Sequence, residues 1–180
     1  MARLRISGGE LRGRPLASPS SGLRPTTGRV REAIFSILGD VAGLRVMDLF
    51  CGTGALAAEA LSRGAREAVL VDVETGPASV NVEALGVASR VSLVRSDAAA
   101  YLDRAPEGAF DLVLCDPPYG LDERSWTRLD PLIRRALAPG GRVMVESARE
   151  EPARIALPLL RERRYGDTVV RVHGAAGAES

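Results

Sequence analysis

Residues 48–57 read Asp48-Leu49-Phe50-Cys51-Gly52-Thr53-Gly54-Ala55-Leu56-Ala57, and this stretch decides the fold. Residues 45–49, Arg45-Val46-Met47-Asp48-Leu49, have strand length with Val46, Met47 and Leu49 apolar, while 55–63 are rich in Ala and Leu with no glycine or proline, which suits a helix. A strand, a glycine turn and a helix in that order open a βαβ unit. Gly52 and Gly54 permit a tight turn that a ligand can approach closely, and the small Ala57 lets the helix pack near the strand.

The same alternation continues outward. Strands are expected at 67–73, 91–95, 110–115 and 142–146, with helices ending at 85, over 98–104 and over 125–137. Tyr165 and the alternating Val170 and Val172 predict late edge strands. Upstream, 2–6 and 10–16 flank Ser7-Gly8-Gly9 as a short hairpin turning on the two glycines, and 18–25 is a Pro/Ser/Gly linker. Val30, Ala33, Ile34, Ile37 and Leu38 recur at helical spacing over 27–38, with Arg29, Arg31 and Glu32 expected to point outward. The expected fold class is α/β: a doubly wound, mainly parallel, Rossmann-like sheet with a small N-terminal β-hairpin extension. The expected organisation is a basic hairpin and linker over 1–25, the main domain over 26–173 and a disordered tail over 174–180.

Composition narrows the function classes. The chain has 180 residues, 46% hydrophobic and 26% charged, with a formal charge of +1, so any polyanion surface must be local. Residues 1–31 hold seven arginines against Glu10, a local charge of +6, which leaves −5 on the rest. Arginine forks bind phosphate oxygens in pairs, so such a basic arm suits nucleic acid; a solvated terminus without a partner accounts for it equally. No apolar run reaches the roughly 20 residues of a membrane span, and the N-terminus lacks a signal peptide's apolar centre, so a cytoplasmic protein without a membrane partner is expected. Cys51 and Cys115 form no disulfide framework, and with His173 the lone histidine, no metal site is expected. All 24 basic residues are arginine, which excludes a Schiff-base lysine.

Four strand ends carry the candidate chemistry. The glycine pattern alone suits NAD equally, but Asp48 ahead of it favours a cation such as the amino group of S-adenosylmethionine and repels a pyrophosphate; the plainer role is to accept backbone amides in a structural turn. Asp72 is placed to accept both hydroxyls of a ribose, or is a solvated strand end. Asp97 is placed to accept from an adenine amine, or to cap the next helix, and the two roles are compatible. Asp116-Pro117-Pro118-Tyr119 is the most specific signal: the prolines fix Asp116 and the Pro117 carbonyl as rigid acceptors for an exocyclic amine, and Tyr119 offers a stacking face. Elsewhere, Glu59 and Arg63 read as an intrahelical ion pair, the two cysteines as small buried residues, and Trp126 as either a lid or core packing.

These residues together resemble the class I S-adenosylmethionine-dependent methyltransferases with a DPPY motif. Gly8-Gly9, Gly13-Arg14, the run from Arg24 to Phe35, the run from Asp48 to Leu56, Glu59 to Ala65 and Tyr165-Gly166-Asp167-Thr168 resemble the RsmD family in particular, over nearly the whole chain. The resemblance implies methyl transfer to a guanine N2 amine in 16S ribosomal RNA, naked or within a partly or fully assembled small subunit, by a monomer that needs no metal. It implies S-adenosylmethionine as cofactor, held by Asp48, Phe50, Gly52, Gly54, Asp72, Asp97 and Ala98. Asp116, Pro117, Pro118 and Tyr119 would take the base, and Arg3, Arg5, Arg12, Arg14, Arg24, Thr26, Arg29 and Arg31 the RNA. The alternatives are an N6-adenine methyltransferase on DNA or RNA and a non-catalytic RNA-binding assembly factor. The chain departs from the family pattern at Asp72, where Glu is usual, and in a shortened stretch before Asn81, where Gly76-Pro77 stands in place of helix.

Overall fold

Runs such as Val46-Met47 and Leu112-Val113-Leu114 are apolar without alternation because both faces of their strands are covered. The computed structural model describes residues 4–17, 28–118, 121–150 and 153–174. Its elements are α1 (Gly28–Leu38), β1 (Arg45–Leu49), α2 (Ala55–Ser62), β2 (Glu67–Asp72), α3 (Gly76–Leu85), β3 (Val91–Arg95), α4 (Ala98–Arg104), β4 (Phe110–Cys115), α5 (Glu123–Ala136), β5 (Leu137–Ala148), β6 (Leu159–Tyr165) and β7 (Thr168–Gly174). They form a seven-stranded sheet in the order β3-β2-β1-β4-β5-β7-β6. The first five strands are parallel, and β7 runs antiparallel to both β5 and β6. Val46, Leu112, Leu114, Met144, Val170 and Val172 pack toward α1, α2 and α3. Met47, Leu49, Val113, Cys115, Val143 and Val145 pack toward α4 and α5. The sheet is therefore doubly wound, as the sequence pattern predicts.

Four local expectations change. Of the two late strands, β6 alone lies at an edge of the sheet; β7 lies between β5 and β6. Strand β5 starts at Leu137, because Leu137 already pairs with Phe110 of β4; residues 138–141 then fall in a register shift, and pairing resumes at Arg142 opposite Leu112. Gly76-Pro77 opens α3 and does not interrupt it, since proline in a first turn forfeits only an N–H that has no helical partner. Gly174, assigned to the tail, is the last residue of β7, while 175–180 and the domain boundary at 25 lie outside the described residues.

The N-terminal hairpin forms, but not as a two-glycine turn. Arg5 bridges Pro15, Ile6 N–H donates to the Arg14 carbonyl (3.0 Å) and Leu16 N–H to Leu4 (2.8 Å), so residues 7–13 make the turn. Gly8 and Gly9 instead seat the tip on the end of α2, where Glu10 N–H donates to the Ser62 carbonyl at 2.7 Å. A Cβ on Gly9 (φ +77°) would stand 1.8 Å from that carbonyl oxygen, whereas one on Gly13 (φ +83°) meets nothing within 4 Å. Gly9→Ala is thus expected to cost about 2–4 kcal/mol, left-handed strain plus overpacking, and Gly13→Ala only the strain of about 1–2 kcal/mol. Urea unfolding checks this, and equal losses for the two variants would show that the seat on α2 yields freely. Leu4, Ile6 and Leu16 are buried in the cluster formed by α1, α2 and α3, which makes the hairpin part of the body.

Candidate functional site

Strand order reverses between β1 and β4, so their carboxyl ends diverge from neighbouring crossovers and leave the crevice in which open α/β sheets hold ligands. Asp48 and Asp116 stand at these two ends. Asp48 is fully buried; its Oδ2 accepts the Ala57 N–H at 3.0 Å, and its Oδ1 has no hydrogen-bond partner among the described residues. Burial pushes its carboxyl up to about 8, against the Ala57 hydrogen bond, and the negative charges of Asp116 and Asp72 add to the rise. The structural role weighed for Asp48 is present in half: one oxygen supports the turn and the other awaits a partner. Between its ordinary value of 3.8 and about 8, the folded protein holds a proton that the unfolded chain releases, so Asp48's contribution to stability falls as pH rises through that window.

The glycine loop follows directly. Phe50 adopts φ +59°, strain of about 1–3 kcal/mol for a non-glycine residue, and half-buries its ring against the α5-side cluster. A Cβ on Gly52 would meet nothing within 4 Å, so the loop is open there, while one on Gly54 would press Leu70 Cδ2 at 2.9 Å. Gly52 thus leaves room for a ligand and Gly54 lets α2 approach β2. Asp72 accepts the Gly52 N–H (2.9 Å) on one oxygen and the Glu74 N–H (3.0 Å) on the other, which ties the loop to the end of β2. Asp97 caps α4 by accepting the Ala100 N–H at 3.0 Å, and the Ala98 side chain turns into the core with Leu102. Asp116 and Pro117 are half-buried just past β4, Pro118 is exposed, and Tyr119 lies outside the described residues.

The arginines divide. Arg3, Arg24 and Thr26 lie outside the described residues. Arg31 is not on the surface: it is fully buried, pairs with Glu59 and donates to the Arg5 carbonyl. Arg5 donates to the Gly13 carbonyl and Arg14 to the Ala84 carbonyl at the end of α3. The hairpin tip with Arg12 sits at the far end of α2 from the glycine loop; eight helical residues, about 12 Å, intervene. Arg29 is exposed in the first turn of α1.

Two residues that organise the site had not been assigned to it. Asn81 is buried; its Oδ1 accepts the Ala17 N–H at 2.7 Å and its Nδ2 donates to the Thr53 carbonyl at 2.9 Å, which joins hairpin, α3 and glycine loop. Glu59 accepts from Ser7, Gly8 and Arg31 as well as from the expected Arg63. The remaining candidates are structural: Trp126 is core packing, and burial pushes both cysteine thiols far above their ordinary range. A cavity of about 470 Å³ lies at the opposite edge of the sheet, where Arg135 donates to carbonyls at the end of α4 and Arg134 pairs with Asp130.

The family model described as conserved hypothetical protein 95 matches residues 4–174. The chain belongs to this family, the RsmD family. It is 40% identical over 122 residues to the ribosomal RNA small subunit methyltransferase D of Escherichia coli K12, a match that spans 65% of this chain and 61% of that relative. It is 30% identical over 158 residues to the Haemophilus influenzae Rd protein of the same name, spanning 83% and 81%. Among solved structures, a hypothetical protein of Thermus thermophilus aligns with a TM-score of 0.79 at 28% identity, over 96% of this chain and 99% of that one. The doubly wound sheet is accordingly the Rossmann-like fold of RsmD-family methyltransferases. No helix among the described residues is long and apolar enough to cross a membrane.

Proposed function

We propose that this protein transfers the methyl group of S-adenosylmethionine to the exocyclic N2 amine of a guanine in 16S ribosomal RNA, in the cytoplasm, on a naked RNA or a partly or fully assembled small subunit. The observation that carries this reading is the pairing, at the two strand ends flanking the switch point, of a buried carboxyl whose Oδ1 has no partner among the described residues with the Asp116-Pro117-Pro118 segment. Family membership supports the same reading.

The residues present fit the cofactor. The orphaned Oδ1 of Asp48 suits a cationic amine, the open side of Gly52 admits a ligand to the backbone, and the Asp72 oxygens keep lone pairs for ribose hydroxyls. When bound, S-adenosylmethionine supplies an electrophilic methyl carbon on a sulfonium. The chain's part is to hold the amine in line. A nucleobase amine is a poor nucleophile because its lone pair spreads into the ring; two acceptors on its hydrogens orient it and favour the pyramidal form. Asp116 and the Pro117 carbonyl take that role, and the fixed φ angles of the prolines keep both acceptors in place. Tyr119 stacks on the base, a contact of about 1–3 kcal/mol. The target guanine leaves its stack to reach them. Of the arginines assigned to RNA, Arg29 is the exposed one on α1.

The protonation of Asp48 gives a test of the cofactor site independent of turnover. A cation on Oδ1 favours the carboxylate, so binding at neutral pH expels the proton and affinity rises with pH up to about 8. Titration calorimetry in two buffers of different ionisation enthalpy is expected to show net proton release, lost in Asp48→Asn; identical heats for the native protein would rule out this assignment. The substrate assignment is tested with labelled S-adenosylmethionine on unmodified 16S RNA, assembled small subunits and DNA, followed by nucleoside mass spectrometry. N2-methylguanosine from the ribosomal substrates alone is the expected product. N6-methyladenine would replace the substrate assignment, and cofactor binding without turnover on any substrate would point to a non-catalytic assembly factor.

A further inference from the structure

Asp116 has a second carboxyl beside it across the ladder. In the parallel pairing of β4 with β5, Leu114 stands opposite Met144 and Cys115 opposite Val145. One residue further, Asp116 comes level with Glu146, on strands about 4.8 Å apart. Asp116 precedes a proline, which keeps its backbone extended, so the alternation of faces carries through it. Leu114 and Met144 pack toward α1, α2 and α3, whereas Cys115 and Val145 pack toward α4 and α5. Asp116 and Glu146 therefore share the α1 side of the sheet. Asp48 lies on that side as well, two residues after Val46, and the Asp116 charge is felt there. On its other flank Glu146 pairs with Val170, which is buried in the same cluster.

Glu146 is buried and follows the core run Val143-Met144-Val145, while Asp116 is half-buried and stays within reach of a ligand. Placing a carboxyl at such a position is costly, which asks what it does there. Asp116 and the Pro117 carbonyl take the hydrogens of an exocyclic amine, and guanine, adenine and cytosine all have one. The three bases differ at the ring nitrogen next to that amine. In guanine it is N1 and carries a hydrogen; in adenine N1 and in cytosine N3 carry a lone pair. An ionised carboxylate accepts and cannot donate, so a second one next to the first attracts guanine and repels the other two.

We infer that Glu146 selects guanine, accepting its N1–H while Asp116 holds the neighbouring N2 amine. The inference rests on the reading that Asp116 holds a nucleobase amine for methylation. It supplies what the Asp116-Pro117-Pro118 segment lacks, since that segment reads an amine and not the base that bears it. The fixed register of β4 and β5 sets the spacing of the two carboxyls, so base choice is built into the sheet and not into a loop. The competing role for Glu146 is to support the helix packed on that side of the sheet.

The test compares the native protein, Glu146→Gln and Glu146→Asp in single-turnover transfer to the ribosomal substrate that the native protein methylates. The modified position carries either guanine or 2-aminopurine, which keeps the N2 amine and has a lone pair in place of N1–H. The native protein is expected to favour guanine by about ten- to hundredfold, the discrimination of a well-placed base-edge contact. The amide of Glu146→Gln offers either an oxygen or an N–H, so its preference is expected to fall below about threefold, with S-adenosylmethionine affinity unchanged. Glu146→Asp keeps the preference at a lower rate. A helix support would slow both substrates equally, so a preference retained by the glutamine variant overturns the inference. Equal rates on the two bases with the native protein overturn it as well, without need of any variant that folds. In both cases N2-methylguanosine formed by the native protein leaves the proposed function standing, and its absence overturns both.

Discussion

Asp116→Ala is expected to lower single-turnover methyl transfer by about two to three orders of magnitude, the usual consequence of removing one preorganised partner of the reacting group. Cofactor affinity is expected to hold or rise slightly. The reason is electrostatic: the Asp116 charge is one of those that push the buried Asp48 carboxyl upward, so deleting it eases the ionisation of Asp48 that a bound cation needs. Asp116→Asn separates two contributions, since its carbonyl still accepts an N–H while the charge is gone, and it should lie between the native protein and the alanine variant. Equilibrium binding of S-adenosylmethionine and transfer to unmodified small subunits are measured on the same preparations. Transfer by the alanine variant within tenfold of native would remove Asp116 from the role given to it. A parallel loss of cofactor affinity would make it a residue of the cofactor site and not of the base.

Much of the architecture is legible in the sequence because a parallel sheet covered on both faces demands largely apolar strands, and β1, β3 and β4 have the bounds expected of them. The glycine loop and Asp116-Pro117-Pro118 are legible for a different reason, since backbone constraint and ligand approach restrict residue type at single positions. The antiparallel end of the sheet is harder to read: β6, with Arg161, Glu162, Arg163 and Arg164, has no apolar run to announce it. Its strand character comes from pairing with β7, a long-range choice that local composition does not carry. Arg31 misleads by type. It stands three, four and seven residues before Ile34, Phe35 and Leu38, on the buried stripe of α1, and spacing alone places it inside where its charge suggests outside. Glu59 carries the matching signal, one carboxylate in the run Ala55-Leu56-Ala57-Ala58-Glu59-Ala60-Leu61 that is otherwise all core. Two opposite charges on two buried stripes imply each other, because neither is tolerated alone.

That pair yields the largest expected effect on stability. Glu59 Oε1 accepts from Ser7 Oγ (2.6 Å), Gly8 N–H (2.8 Å) and Arg63 Nε (3.0 Å), while Oε2 accepts from Ser7 N–H (2.9 Å) and Arg31 Nε (3.4 Å). Burial pushes the carboxyl upward, but the Ser7 and Arg63 hydrogen bonds and the Arg63 charge outweigh it and hold Glu59 below its ordinary value. The stability it contributes is therefore present above the ordinary carboxylate range and lost as pH falls through the lowered value. Glu59→Ala strands the Arg31 guanidinium in the core and frees the Ser7-Gly8 backbone, and is expected to cost about 3–5 kcal/mol. For a chain of this size that lowers Tm by roughly 10 °C. Removing both charges, as in Arg31→Met with Glu59→Leu, should cost less than Glu59→Ala alone, because no buried charge is left unpaired. Hydrogen exchange supplies the spatial readout: the Ser7 and Gly8 amides should lose protection first, since their acceptor is gone while the β1 and β4 ladders remain. If urea unfolding of Glu59→Ala stays within about 0.5 kcal/mol of native, a surface-like value, the hairpin is held by Leu4, Ile6 and Leu16 alone. A full loss would instead make Glu59 the fastening through which α1, the hairpin and α2 keep one arrangement, with the glycine loop at the other end of that helix.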